Sequence, residues 1–291
     1  MTSTPSAFTT LISATTLATH LNDPHWVILD CRHDLADPGA GRNGYLAGHV
    51  PGAQFVSIDD DLSEKSPAAD GSFRGRHPLP ARDAFIETLR KLGIDDTTQV
   101  IACDAQGGMF AARLWWMLRW VGHARVAVLD AGMAAWLAEA HPVSAGAETT
   151  TRVGNIVDRP PLVEMVNAAD VERSIAQGQR IVIDARAPDR FRGENETLDP
   201  VGGHIPGAKN RFFKDNLQGD GRFRPPAELR AAFEALVPEP GAAIMQCGSG
   251  VTACHNLLAL EVAGLSGAAL YPGSWSEWCA DPARPVATGT A

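Results

Sequence analysis

Short apolar runs alternate with longer amphipathic segments along the whole chain. The short runs are rich in β-branched residues and are bounded by Gly and Pro, which predicts strands, whereas the longer segments have helical periodicity. The predicted strands are 26–29, 99–102, 125–129, 180–183, 242–246 and 268–271, and the predicted helices lie near 81–92, 108–121, 227–237 and 252–263. This alternation predicts an α/β fold, with mostly parallel sheets that are flanked by helices on both faces.

The pattern of the first half is repeated in the second. VILDCR at 27–32 returns as IVIDAR at 181–186, and GHVPGA at 48–53 returns as GHIPGA at 203–208. Between the halves lies a stretch that is rich in Thr, Gly and Pro and has no strong apolar periodicity, which is typical of a linker. The sequence therefore predicts two tandem domains, 1–145 and 161–291, joined by a linker at 146–160.

Composition and charge exclude several classes of protein. Hydrophobic residues make up 45% and charged residues 20% of the 291 residues, which is ordinary globular usage. A net charge of −9 removes the basic surface expected of a protein that binds nucleic acid or an anionic membrane. Because the longest apolar runs fall far short of the roughly 20 residues of a membrane span, no span is predicted.

The lack of a secretory signal and the use of cysteine both favour the cytoplasm. No Lys or Arg precedes Arg32, so the start lacks the basic region of a secretory signal. The five cysteines form an odd set in a long chain, which suits reduced thiols better than a disulfide framework.

One loop carries the candidate chemistry. A predicted strand runs into Cys247, then through Gly248 and Gly250 into a helix that begins near Thr252. The glycines allow successive N–H groups to point at one anion, and the helix adds its positive end. Such surroundings lower a thiol pKa from about 8.5 to roughly 3.5–7.5, which makes the sulfur nucleophilic at neutral pH. The alternative is a buried structural cysteine at a strand end.

The corresponding loop of the first half has a different residue at this point. Asp104 takes the place of Cys247, with one extra residue in the loop, and a carboxylate does not carry sulfur. Cys103 lies one position earlier, at the end of an apolar run, where its side chain is expected to face away from the loop. We interpret Cys103, and likewise Cys31, Cys254 and Cys279, as packing residues.

Together, the CGSGVTAC loop, the two GHxPGA segments, the paired DxR strands and GSWSEW resemble the rhodanese superfamily. The resemblance extends from about residue 10 to 280 and is to its tandem form, with an inactive first and a catalytic second domain. The spelling Gly248-Ser249 resembles mercaptopyruvate-type members, because thiosulfate-preferring members usually carry basic residues there. The resemblance implies that Cys247 takes sulfur from a small anionic donor as a persulfide, without a cofactor or metal. The implied acceptor is a thiol, cyanide or a thioredoxin-like protein.

The resemblance also implies roles for other residues. Arg190 would bind the donor carboxylate, and the loop residues Gly248, Gly250, Val251 and Thr252 would line the donor site. Ser249, His77 and Asp59 match a proton relay that assists sulfur transfer in mercaptopyruvate-type members. The sequence departs from the family at Thr197, where those members usually have a second substrate arginine, which puts the donor in doubt.

Two alternatives remain open, and a third is disfavoured by the sequence. Thiosulfate could be the donor, with the same persulfide chemistry. A cysteine phosphatase would need an arginine six residues after the nucleophile, but Ala253 stands there. The chain could also be a persulfide carrier that does not itself turn over.

Overall fold

The computed structural model describes residues 7–66, 68, 71–150 and 152–290. Their contacts form two compact units. Unit 1 consists of the described residues within Met1–Asp61, Ala81–Leu162 and Asp220–Arg222, and unit 2 of those within Leu62–Pro80, Val163–Gly219 and Phe223–Ala291. These units differ from the predicted domain limits, which stay a prediction, because the segment 62–80 joins unit 2 and the linker residues join unit 1.

Unit 1 contains five strands and five α-helices. The strands are β1 Leu11–Ile12, β2 Trp26–Asp30, β3 Gln54–Phe55, β4 Gln99–Cys103 and β5 Val126–Leu129. The helices are α1 Ala14–Ala18, α2 Ala40–Ala47, α3 Arg82–Lys91, α4 Ala111–Trp120 and α5 Gly132–Ala138. The sheet has the order β1-β5-β4-β2-β3, and its four pairings are parallel.

Unit 2 repeats this arrangement. The strands are β6 Glu164–Met165, β7 Ile181–Asp184, β8 Lys209–Asn210, β9 Ala243–Gln246 and β10 Ala269–Leu270. The helices are α6 Ala168–Gln177, α7 Pro188–Arg192, α8 Pro226–Glu234, α9 Thr252–Val262 and α10 Ser274–Trp278, with 3-10 turns at Phe213–Asn216 and Pro240–Ala242. The order β6-β10-β9-β7-β8 is again parallel throughout, so the predicted fold class is confirmed.

The predicted elements omit the outer strands and six of the observed helices, including the eight-residue α2 and the ten-residue α6. The outer strands β1, β3, β6 and β8 have two residues each, too few for a periodic pattern. Helix α4 begins at Ala111 rather than near 108, because the backbone from 106 to 111 bends around the carboxylate of Asp104.

The central strand of unit 2 positions the candidate site. All four residues of β9 are buried, and Ile244 belongs to a core cluster with Trp275 and Trp278 of α10. In open parallel sheets, ligands bind at the carboxyl ends of the strands. The loop that follows β9 is therefore the expected place for a ligand. Within the described residues, no helix combines the length and apolar composition that crossing a membrane requires.

Candidate active site

The loop that follows β9 is held by the turn that opens α10. The Cys247 N–H donates to Ser274 Oγ at 3.1 Å, and the Cys247 carbonyl accepts the Trp275 N–H at 3.0 Å. The next carbonyl, of Gly248, accepts the Ser276 N–H at 2.9 Å. Three hydrogen bonds therefore fix the backbone on both sides of the candidate nucleophile. Cys247 is buried, with 2% of its surface exposed.

Two residues of this arrangement have left-handed backbone. Gly250 has φ +75°, and a Cβ there would lie 2.3 Å from the Pro272 carbonyl oxygen, so only glycine fits. Ser274 has φ +55° although it carries a side chain, and it is fully buried. Its hydroxyl donates to the Tyr271 carbonyl at 2.9 Å while it accepts the Cys247 N–H, which holds it in this conformation.

The loop enters α9 as the sequence predicts. Val251 is the N-cap residue of α9 without a side-chain cap, and Thr252 is its first residue. Gly248 and Val251 thus connect the nucleophile to Thr252, at the positive end of an eleven-residue helix. Their part in binding the donor stays a prediction.

Three of the other cysteines lie in surroundings that suppress ionisation. The structure has five free, buried cysteines in the described residues. Burial raises the pKa of the Cys31 and Cys103 thiols well above the usual value, and nearby acidic groups such as Asp30 raise both further. Burial, followed by Asp199, also raises the pKa of Cys279. These three are poor nucleophiles, in keeping with the packing role expected of them.

The structure brings two of the three predicted relay residues together. Ser249 Oγ lies 2.7 Å from His77 Nδ1, and both side chains are buried. Although the sequence places His77 in the first half, its segment 62–80 belongs to unit 2. Asp59 is half-buried and belongs to unit 1, so its role stays a prediction.

The candidate carboxylate ligand Arg190 has an internal partner. Its Nε donates to Glu196 Oε2 at 3.1 Å and its Nη2 to Glu196 Oε1 at 2.8 Å. Burial would raise the pKa of Glu196, but the hydrogen bonds from Arg190 and from the Leu198 N–H outweigh it, so the pKa is lowered. The carboxylate therefore holds one edge of the Arg190 guanidinium in a fixed position.

Arg186, the arginine of the second DxR segment, is bonded within the fold. Its guanidinium bonds the Asp184 carboxylate and donates to the Gly203 carbonyl at 2.7 Å. In unit 1, Arg32 makes the same bonds to Asp30 and to the Gly48 carbonyl. Burial would lower the pKa of Arg186, but Asp184 and Glu196 outweigh it and raise the pKa, so it stays a cation.

Sequence reasoning missed one basic residue at this loop. A Cβ added at Gly248 would lie 2.8 Å from Arg76 Nη2, and 3.6 and 3.8 Å from Arg190 Nη2 and Nη1. Arg76 is separated from Gly248 by most of the chain, so spacing gave no signal. The only clue was its position directly before His77.

No metal centre is suggested by the acidic and sulfur-containing residues of the described chain. Within those residues, no three His, Cys, Asp or Glu side chains lie close enough together to hold a metal ion.

Comparison with known proteins accounts for both units. The family model for the rhodanese-like domain matches residues 13–139 and again 167–281. The chain belongs to the rhodanese superfamily. The resemblance drawn from the loop, the repeats and GSWSEW is thereby confirmed, including its tandem arrangement.

Related sequences span nearly the whole chain. It is 45% identical over 282 residues to a protein of Pseudomonas aeruginosa named "Probable 3-mercaptopyruvate sulfurtransferase", covering 96% of this chain and 98% of the relative. It is 40% identical over 266 residues to the "Putative thiosulfate sulfurtransferase SseB" of Mycobacterium tuberculosis, covering 91% of each. The names of these two relatives thus refer to different sulfur donors, 3-mercaptopyruvate and thiosulfate.

Solved structures agree with the fold. The 3-mercaptopyruvate sulfurtransferase SseA of Escherichia coli aligns with a TM-score of 0.79 at 32% identity, covering 92% of this chain and 100% of that one. The enzyme from Leishmania major aligns with a TM-score of 0.82 at 30% identity, covering 93% of this chain and 74% of that one.

Proposed function

We propose that this chain is a 3-mercaptopyruvate sulfurtransferase that works through a persulfide on Cys247. In the first half-reaction the Cys247 thiolate attacks the donor sulfur. A sulfur–sulfur bond forms, the carbon–sulfur bond of the donor breaks, and its electron pair leaves on the enolate of pyruvate. The enolate then takes up a proton, which gives pyruvate and the Cys247 persulfide.

The second half-reaction returns the enzyme to its starting state. An acceptor thiolate attacks the outer sulfur, the sulfur–sulfur bond to Cys247 breaks, and Cys247 leaves as a thiolate. The acceptor becomes a persulfide, which a second thiol can reduce to hydrogen sulfide and a disulfide. With cyanide as acceptor the product is thiocyanate. A thiol, cyanide or a thioredoxin-like protein would serve as acceptor.

The Ser249–His77 pair is the observation that favours mercaptopyruvate. A leaving enolate needs a proton, and an imidazole 2.7 Å from the Ser249 hydroxyl can supply it through that hydroxyl. Ser249 is two residues from Cys247 in a loop whose backbone at Cys247 and Gly248 is fixed by hydrogen bonds, which supports a proton source near the reacting sulfur. The names of the relatives support the same donor.

Thiosulfate is the second candidate donor. Its transfer breaks a sulfur–sulfur bond and releases sulfite, which needs no proton relay. The guanidinium groups of Arg76 and Arg190 beside Gly248 favour a small, highly charged anion. The Mycobacterium tuberculosis relative carries the thiosulfate name.

The test is a comparison of donors in the wild-type chain and in Cys247→Ser. We expect kcat/KM with 3-mercaptopyruvate to exceed kcat/KM with thiosulfate, with cyanide as acceptor in both assays. Mass spectrometry after incubation with donor should show one added sulfur on Cys247, and none in Cys247→Ser. A preference for thiosulfate would make the second candidate correct, and sulfur loading in Cys247→Ser would exclude the proposed nucleophile.

The remaining expectations concern the location of the protein and its partners. Location in the cytoplasm and the absence of nucleic-acid and membrane partners stay predictions.

A further inference from the structure

Two guanidinium groups from distant parts of the chain converge on Gly248, the residue after the candidate nucleophile. The nearer is that of Arg76, whose Nη2 would lie 2.8 Å from a Cβ at this position. The other is that of Arg190. Both arginines and the whole catalytic loop belong to unit 2. Position 248 is therefore the point where an anion bound by both would meet the reacting sulfur.

The backbone around Arg76 is fixed against the same turn that holds the loop. The Arg76 N–H donates to Ser276 Oγ at 3.1 Å. Gly75 has φ +94°, and a Cβ there would lie 2.7 Å from the Gly273 carbonyl oxygen, so close approach requires glycine. Arg76 and Gly248 are thus both anchored to residues 273–276, which sets their separation.

Among the described residues, one edge of the Arg76 guanidinium is held by an ion pair. Its Nη1 pairs with Asp199 Oδ1, while Nη2 points to Gly248. Arg190 is arranged alike, since Glu196 holds its Nε edge. A guanidinium has five donors in a fixed plane, so an arginine held on one edge can still present donors to a ligand.

Asp199 lies between the two arginines and is incompletely satisfied. Its Oδ2 is 3.6 Å from Arg190 Nη2, and it is buried without a hydrogen-bond donor among the described residues. Its side chain is 3% exposed, against 26% for Arg76 and 19% for Arg190. The acid is thus enclosed, whereas both cations remain accessible to a ligand.

We propose that Arg76 binds the anionic group of the sulfur donor together with Arg190. Arg76 would supply the second cation that position 197 lacks, because Thr197 is neutral and exposed. Arg76 comes from the segment 62–80, so donor recognition would depend on residues far apart in the sequence. This inference rests on the proposed function, since it assigns the donor site of that reaction.

The first test is Arg76→Gln in the full chain, with 3-mercaptopyruvate and with thiosulfate. Losing one charge-assisted hydrogen bond should raise KM for the donor about 10- to 100-fold. Arg190→Gln should do the same. Arg74→Gln removes a positive charge from the same segment, but among the described residues its Nη2 donates to the Ser66 carbonyl at 3.5 Å rather than pointing at Gly248, so the KM of this variant should match wild type.

The second half-reaction separates binding of the donor from a general defect. Each variant is loaded at saturating donor, desalted and discharged with a small thiol, and the persulfide is followed by mass spectrometry. Arg76→Gln should discharge at the wild-type rate, because the donor has already left. A wild-type KM in Arg76→Gln with a raised KM in Arg190→Gln would overturn this inference and leave the proposed function intact. Failure of wild type to load Cys247 would instead refute the proposed function.

A double-mutant cycle tests the contact itself. Gly248→Ala would place a methyl 2.8 Å from Arg76 Nη2, so the flexible end of the Arg76 side chain must move aside, whereas the backbone of Gly248 is not in the left-handed region and accepts alanine. Gly248→Ala should raise the donor KM in the wild-type background and raise it less in Arg76→Gln. Equal effects in both backgrounds would show that the Arg76 guanidinium does not lie at position 248 in solution.

Discussion

The two units contain corresponding loops after their central strands, with Asp104 in unit 1 and Cys247 in unit 2. In unit 1 the Asp104 carboxylate accepts N–H groups from Gln106 at 2.9 Å, Gly108 at 2.9 Å, Phe110 at 2.8 Å and Ala111 at 3.0 Å. The backbone therefore encircles an anion, and the anion belongs to the chain itself. In unit 2 the matching position is Cys247, whose short side chain carries no charge-bearing oxygen.

The surroundings of the two loops are otherwise alike. The Asp104 carbonyl accepts the Met133 N–H at 2.8 Å, as the Cys247 carbonyl accepts the Trp275 N–H at 3.0 Å. Each loop follows the central strand of a parallel sheet and leads into a long helix. The comparison teaches that this loop shape is suited to an anion. In unit 1 the anion is a permanent carboxylate, and we infer that in unit 2 it is a transient persulfide.

The largest effect is expected from making the second loop like the first. In Cys247→Asp the carboxylate should occupy the loop as Asp104 does, so persulfide formation and sulfur transfer should be lost completely. The variant should remain folded, with a free energy of unfolding equal to or above that of Cys247→Ser. Urea unfolding and persulfide mass spectrometry check both points. A carboxylate that destabilises unit 2 by about 2 kcal/mol relative to Ser, as an unpaired buried charge would, contradicts the comparison.

The next effect is on stability and comes from emptying the first loop. Asp104 is fully buried, so Asp104→Ala leaves four N–H groups without their acceptor. We expect the free energy of unfolding to fall by about 3–5 kcal/mol in urea titrations. Asp104→Asn keeps one acceptor oxygen and should lose less. An Asp104→Ala variant as stable as wild type would show that these hydrogen bonds contribute nothing net.

Sequence alone was sufficient for features that depend on local order. Cys247 could be assigned because a strand, two glycines and a helix follow each other within a dozen residues, and the repeat exposed Asp104 as its counterpart. The fold class followed from the same alternation of apolar runs. Two-residue edge strands carry too little pattern, and their pairing depends on neighbours far away in the chain.

Features that depend on contacts between residues far apart in the chain could not be predicted from the sequence. Arg76 reaches Gly248 only because Gly75 and Ser276 pack the segment 62–80 onto unit 2. Ser274 acts through a left-handed backbone that a serine rarely adopts, so residue type gives no signal. Asp59 is one of three adjacent acids, and its role in the relay rests on the resemblance and stays a prediction.

A moderate effect on activity is expected from Ser249, which has no hydroxyl counterpart in the first loop. Ser249→Ala removes the hydroxyl that contacts the His77 imidazole and is proposed to pass on its proton, so kcat with 3-mercaptopyruvate should fall about 10- to 100-fold. His77→Asn should give a similar loss, and the double variant little more. With thiosulfate both losses should be smaller, because sulfite leaves without a proton. Equal losses with both donors would assign the pair a positioning role rather than proton transfer.

The smallest effect concerns Ser274, which the first unit replaces with Gly132 at nearly the same backbone angle, φ +54° against +55°. Ser274→Ala keeps the left-handed strain but loses the hydrogen bonds to the Cys247 N–H and the Tyr271 carbonyl, so it should cost about 1–2 kcal/mol of unfolding free energy. Ser274→Gly loses the same bonds but relieves the strain. It should therefore be more stable than Ser274→Ala by about 1 kcal/mol in urea titrations. If Ala were the more stable of the two, the left-handed conformation of residue 274 would not be the one adopted in solution.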